Sequence, residues 1–97
     1  MAKIKVLAKR PETDWYVTYL SNSLGNMQAF VGGYIETVAF AEDAVIVCNE
    51  EGRIKGLDFN CTVADVEFYG DIFVCGIKGA DFADVPVTLK DWKEVVG

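Results

Sequence analysis

The period of the apolar positions changes along the chain, and the changes divide it into elements. In KIKVLAK (3–9), Ile4, Val6 and Ala8 fall to one side and Lys3, Lys5 and Lys9 to the other. That alternation is the signature of a half-buried strand. KRPETD follows as a turn, because Pro11 fixes φ and has no amide hydrogen for a ladder. WYVTYL (15–20), rich in aromatic and β-branched residues, predicts a second strand paired with the first as a hairpin. Then the spacing lengthens. Leu20, Leu24, Met27, Phe30 and Val31 lie at i, i+4, i+7, i+10 and i+11, an apolar stripe along a helix. Ser21, Asn22 and Ser23 offer side-chain oxygens to cap its first free N–H groups, so a helix is expected over about 22–31, with Gly25 a weak point.

Gly32 and Gly33 come at the end of that helix, which decides what they do. Glycines that cradle a phosphate precede a helix, where free N–H groups and the positive end of the dipole meet the anion. After a helix the free groups are carbonyls. Gly32 is therefore expected to close the helix in the left-handed conformation, and Gly33 to release the chain into the next strand.

YIETVAF (34–40) and AVIVCN (44–49) read as two strands joined by the acidic turn Ala41–Glu42–Asp43. NEEG (49–52) fits a turn that returns the chain into a short RIKGL. In DFNCTVADVEFYG the pattern weakens, and one strand is expected around Val63–Phe68. DIFVCGI is an apolar strand, and ADFADVPV a loop containing Pro86. TLKDWKEVV forms a last helix, opened by Thr88 with Asp91 three residues on, and burying Leu89, Trp92, Val95 and Val96. The expected fold is α+β, a single domain over residues 1–97. A largely antiparallel sheet of five to six strands carries one central helix on a face and a short C-terminal helix at about 89–96.

Composition narrows the chemistry more than the fold. A chain of 97 residues, 52 % hydrophobic and 25 % charged, is that of one globular domain with a modest core. No apolar run approaches the ~20 residues of a membrane span, and the start lacks the apolar region of a signal peptide, so the expected location is the cytoplasm. The three cysteines, Cys48, Cys61 and Cys75, form no CxxC pair and are odd in number, which favours reduced core residues over disulfides or a zinc site. There is no histidine, so Ser-His-Asp and Cys-His nucleophile systems are excluded, and no catalytic residue or cofactor is expected.

The net charge of −6 is unevenly spread. Lys3, Lys5, Lys9 and Arg10 cluster near the start, and no Lys or Arg follows from Pro11 through Gly52. Glu12, Asp14, Glu36, Glu42, Asp43, Glu50 and Glu51 fall within that tract. Direct nucleic-acid binding needs a basic stripe, and this is the reverse. A carboxylate-only metal site would have to unite Glu42, Asp43, Glu50 and Glu51. They carry no calcium-loop spacing, and a strand of six residues at ~3.4 Å each puts the two turns roughly 20 Å apart. The expectation is two acidic ends on one flank of the sheet, facing a protein partner with a basic surface, with no metal. Trp15, Tyr16, Tyr19, Phe59, Phe68 and Tyr69 supply the alternative, an aromatic patch for a nucleotide or small molecule, with Arg53, Lys55 and Lys78 as the phosphate-holding groups. A structural or regulatory domain with an ordinary acidic surface is the third reading.

Several stretches together resemble one family. IKVL, the helix ending in VGGYIE, VCNEEGRIKGL with Asn60 after it, DIFVCG and the later DF are similar to the domain-of-unknown-function 3846 family, small proteins of phages, mobile elements and gut Firmicutes. CTVADVEFYG departs from that pattern. The resemblance implies no catalytic residues. It implies a setting among accessory genes that accompany antirestriction and other defence-related genes. That setting, with the acidic surface and the absence of catalytic chemistry, makes the first expectation a non-enzymatic protein that binds and blocks another protein, such as a defence nuclease.

Overall fold

The computed structural model describes residues 2–96. Its elements in chain order are β1 (Lys3–Lys9), β2 (Tyr16–Ser21), α1 (Leu24–Val31), β3 (Ile35–Ala41), β4 (Ala44–Asn49), β5 (Phe59–Val63), β6 (Val66–Tyr69), β7 (Ile72–Lys78), β8 (Asp81–Ala83) and α2 (Leu89–Val96). Five strands run in the order β2-β1-β7-β4-β3, all neighbours antiparallel. The sixth, β8, pairs with the last residues of β7 beyond the β1 pairing. A separate two-stranded ladder joins β5 to β6. The fold is α+β, as expected.

Both faces of the sheet are covered, and this explains the two most apolar strands. On one face α1 buries Met27 and Val31 against Ile4, Val6, Val45, Val47 and Phe73. Each such side chain contributes about 1.5–3 kcal/mol on leaving water. On the other face the β5–β6 hairpin and α2 bring Val63, Phe68 and Trp92 onto Leu7, Ile46, Ile72 and Val74. Strands β4 and β7 are therefore buried on both sides, and AVIVCN is buried at every residue. A strand buried on both faces reads as a continuous apolar run, not an alternation.

The helix α1 starts two residues later than the apolar spacing suggests. Ser23 is its N-cap, the Oγ accepting from the Asn26 N–H at 3.3 Å, while Ser21 ends β2. Leu24 is 58 % exposed, so the buried stripe is Met27 and Val31 with Phe30 half-buried. Gly32 closes the helix at φ +81°, its N–H donating to the Gln28 carbonyl at 2.8 Å.

Three expectations are corrected. The chain does not return along β4 at RIKGL: residues 50–56 are consecutive turns, closed by Lys55 N–H to Glu51 O and Leu57 N–H to Gly52 O. The neighbour β4 takes on its inner side is β7, from far along the chain. The segment 58–70 holds two strands, not one. Ala64 and Asp65 adopt φ +49° and +68° between the paired Val63 and Val66, a two-residue turn with both residues left-handed. Its sequence lacks the Asn-Gly or Asp-Gly pair that announces such turns. Finally, the loop before α2 contains β8, and its exit is tied to β1: Val85 N–H donates to Lys5 O, and the Asp84 carboxylate accepts from Lys5 N–H, both at 2.8 Å.

In α2, Thr88 Oγ1 accepts from Asp91 N–H at 3.1 Å, the expected cap. Trp92 is fully buried, with Leu89 and Val96 half-buried beside it, whereas Val95 is 67 % exposed on the outer side. Trp92 sits between Phe40 and Trp15, rings nearly perpendicular and centroids 4.7 and 5.2 Å away.

Candidate functional site

Strand β3 ends the sheet, and that position exposes its outer side. Glu50 N–H donates to Tyr34 O at 2.9 Å just before β3 begins. Antiparallel ladders alternate hydrogen-bonded and non-bonded pairs, so Glu36 and Val38 turn their main-chain groups inward to Cys48 and Ile46. Ile35, Thr37 and Ala39 turn theirs outward. The same alternation sorts the side chains. Ile35 packs toward α1, while Val38 and Phe40 pack on the opposite face, which Glu36 shares as an exposed residue.

The four acids singled out from the sequence occupy the two ends of β4. Glu42 and Asp43 are exposed in the β3–β4 turn; Glu50 is exposed and Glu51 half-buried where β4 ends. A six-residue strand separates the pairs, about 20 Å at ~3.4 Å per residue. Glu51 is engaged by Lys55, Nζ to Oε1 3.6 Å. Among the described residues, no group of three or more acid or cysteine side chains is placed to hold a metal ion.

What sequence reasoning missed is a narrow cleft on the α2 side of β3, of about 170 Å³. Glu36 lines it from β3, Glu50 and Arg53 from the turns after β4, and Glu67 and Tyr69 from β6. Arg53 lies 3.8 Å from the Glu67 carboxylate and 5.9 Å over the Tyr69 ring. The Tyr69 hydroxyl donates to Glu67 at 3.1 Å, and that bond to a carboxylate holds the phenol above its ordinary pKa. Three carboxylates and one guanidinium thus line one cleft. The alternation of β3 placed Glu36 on a known face; the fold was needed to bring β6 opposite it.

The aromatic residues divide. Trp15 and Phe68 are buried, Tyr16 and Tyr69 half-buried, Tyr19 and Phe59 exposed. Phe59 and Tyr69 meet edge to face at 5.6 Å. Of the basic groups weighed for phosphate binding, Arg53 and Lys55 already pair with carboxylates, and Lys78 lies exposed at the end of β7. The cysteines are free, Cys48 and Cys75 buried and Cys61 partly so. Burial pushes Cys48 up to about 11 and Cys75 to about 12, and raises Cys61, so all three stay protonated thiols at neutral pH.

The structure defines an acidic α+β domain whose sheet ends in an open strand beside an acidic cleft. The model of the family described as "Domain of unknown function (DUF3846)" matches residues 4–97, and the chain belongs to that family. No curated protein and no solved structure matches it. No helix among the described residues is long and apolar enough to cross a membrane.

Proposed function

We propose that this protein is a non-enzymatic accessory protein of phage or mobile-element type, acting in the cytoplasm by binding another protein through its acidic β3–β4 flank. The observation that carries the reading is the distribution of charge. β3, β4 and their turn hold no lysine or arginine, while Glu36, Glu42, Asp43 and Glu50 are exposed along them. Such a flank complements the phosphate-binding lysines and arginines of a nucleic-acid enzyme. The family setting implied by the sequence points toward a defence nuclease as that enzyme.

The test is capture of a partner from a bacterial lysate, followed by titration with salt. Exposed charges are screened beyond ~8 Å at physiological ionic strength, so binding should weaken steeply as salt rises. Glu50→Lys with Glu51→Lys should abolish it while leaving the thermal midpoint nearly unchanged. A partner whose affinity survives both reversals would move the contact to the exposed aromatics. A thermal-shift screen against nucleotides and metals tests the ligand-binding alternative, which the Phe59–Tyr69 pair supports. Hydrolysis of a nucleotide, ester or peptide that is lost with a single carboxylate variant would overturn the non-enzymatic reading.

A further inference from the structure

We infer that the open edge of β3 receives an extended, basic segment of a partner protein as an added strand, with one lysine or arginine of that segment seated in the Glu36–Glu50–Glu67 cleft. This inference rests on the protein-binding reading above and specifies how the partner is held.

Three observations carry it. The first is the edge itself: β3 is seven residues long, pairs among the described residues with β4 alone, and turns the N–H and C=O groups of Ile35, Thr37 and Ala39 outward. Main-chain groups in that row bind another extended chain whatever its sequence. The second is the cleft beside the edge. Side chains of an added strand alternate between faces, so every second one lies on the α2 side, where the cleft is. At about 170 Å³ it has room for one long side chain and falls below the size of a cofactor pocket.

The third is charge. Glu36 and Glu50 form no ion pair among the described residues, and the Glu67 carboxylate, which accepts from the Tyr69 hydroxyl, has a long ion-pair contact of 3.8 Å to Arg53. Val38, Val66 and Phe68 also line the cleft, offering an apolar wall for the stem of a lysine or arginine whose head meets the carboxylates. The same charges argue against a second copy of this chain. Antiparallel pairing of β3 with β3 centred on Glu36 or Thr37 would set the two Glu36 side chains opposite or diagonal to each other on one face, a like-charge contact. Pairing β3 with the β2 edge of another copy would be head to tail, a heterologous contact that builds a ring or a filament and not a closed dimer.

The experiment uses fluorescence anisotropy with a short labelled peptide alternating lysine and threonine. Two further versions are N-methylated along the backbone at alternate residues, one in each parity. Strand addition requires one parity of peptide N–H groups to face β3 and the other to face water. One methylated version should therefore bind about tenfold or more weaker, and the other nearly as well as the parent. Thr37→Pro removes an outward donor without touching the β4 ladder, and should weaken binding to a similar degree at an unchanged thermal midpoint. Amide exchange at Ile35, Thr37 and Ala39 should slow when the peptide is bound.

Equal binding of both methylated peptides, with loss on Glu50→Lys and Glu51→Lys, would overturn the strand-addition inference and leave the acidic protein-binding reading standing. Absence of binding, or equal binding of a glutamate–threonine peptide, would overturn the basic occupant. Sedimentation that reveals self-association abolished by Thr37→Pro would make the occupant a second copy and overturn the partner. Should Thr37→Pro unfold the protein, the two methylated peptides decide alone.

Discussion

The side-chain amide of Asn49 donates to the main-chain carbonyl of Val31 at 3.1 Å, so the last residue of β4 holds the last residue of α1. The same side chain accepts from the Glu51 N–H at 2.8 Å. One buried asparagine thus satisfies an orphan helix carbonyl and shapes the turn that carries Glu50 and Glu51. Asn49→Ala is expected to cost about 1–3 kcal/mol in urea denaturation, because it strands that carbonyl in a buried setting. Asn49→Asp should cost more, since it replaces the donor with a charge facing a carbonyl. A loss under about 0.5 kcal/mol for the alanine variant would show the amide is dispensable.

The glycine pair after α1 answers to the same residue. Gly32 has φ +81°, and a Cβ there would lie 4.0 Å from Asn49 Nδ2, so its replacement meets backbone strain and no clash. At Gly33 a Cβ would come within 2.8 Å of Asn49 Nδ2 and 3.5 Å of Lys55 Nζ. Sequence reasoning ranks Gly32→Ala as the costlier change if Gly33 is merely extended. The close approach predicts that Gly33→Ala costs at least as much, about 1–3 kcal/mol, by displacing the Asn49 amide. In a double-mutant cycle Gly33→Ala and Asn49→Ala should then fall short of additivity by about 0.5 kcal/mol or more. Strict additivity would separate the two sites.

Phe30 meets Phe73 edge to face at 5.4 Å but remains half-buried, whereas Trp92 is fully enclosed by Trp15 and Phe40. Trp92→Ala is expected to cost about 3–5 kcal/mol and Phe30→Ala less. The Trp92 indole N–H has no hydrogen-bond partner among the described residues, so Trp92→Phe loses area and removes a buried unpaired donor at once. It should be the mildest of the three in thermal and urea unfolding. A reversed order would place the weight of the core on the α1 side.

The buried thiols make stability fall at alkaline pH. Burial raises Cys75 from 9.0 to about 12, and burial with the nearby Glu36 charge raises Cys48 to about 11. The folded protein keeps these protons where the unfolded chain releases them. Their contribution is fully present below about pH 9 and declines as the pH climbs toward 11 and 12, by about 1.4 kcal/mol per group per pH unit. Urea midpoints at pH 8 and pH 10 should differ, and Cys75→Ala should flatten the slope relative to the wild type. Iodoacetamide at pH 8 should modify Cys48 and Cys75 only after unfolding; rapid modification of the native protein would contradict their burial.

Local pattern was enough for β1, β2, β4, β7, both helices and the glycine stop, because alternation, helical spacing and capping act over a few residues. The lysine side of β1, the Ser23 cap and the Thr88–Asp91 start all sit where short-range chemistry puts them. Tertiary structure decided what the strands lie beside. β7 enters between β1 and β4, and this long-range pairing, not any local signal, leaves β3 at an edge and denies RIKGL a place in the ladder. The β5–β6 turn escaped notice because Ala64 and Asp65 are held left-handed by the strands they join. The cleft came from the same source. Glu36 and Glu67 lie thirty-one residues apart in sequence, and only packing of the β5–β6 hairpin over β4 brings them to one cleft. Residue chemistry set the charges, and strand order set which of them meet, since contacts between distant segments follow the burial of apolar faces.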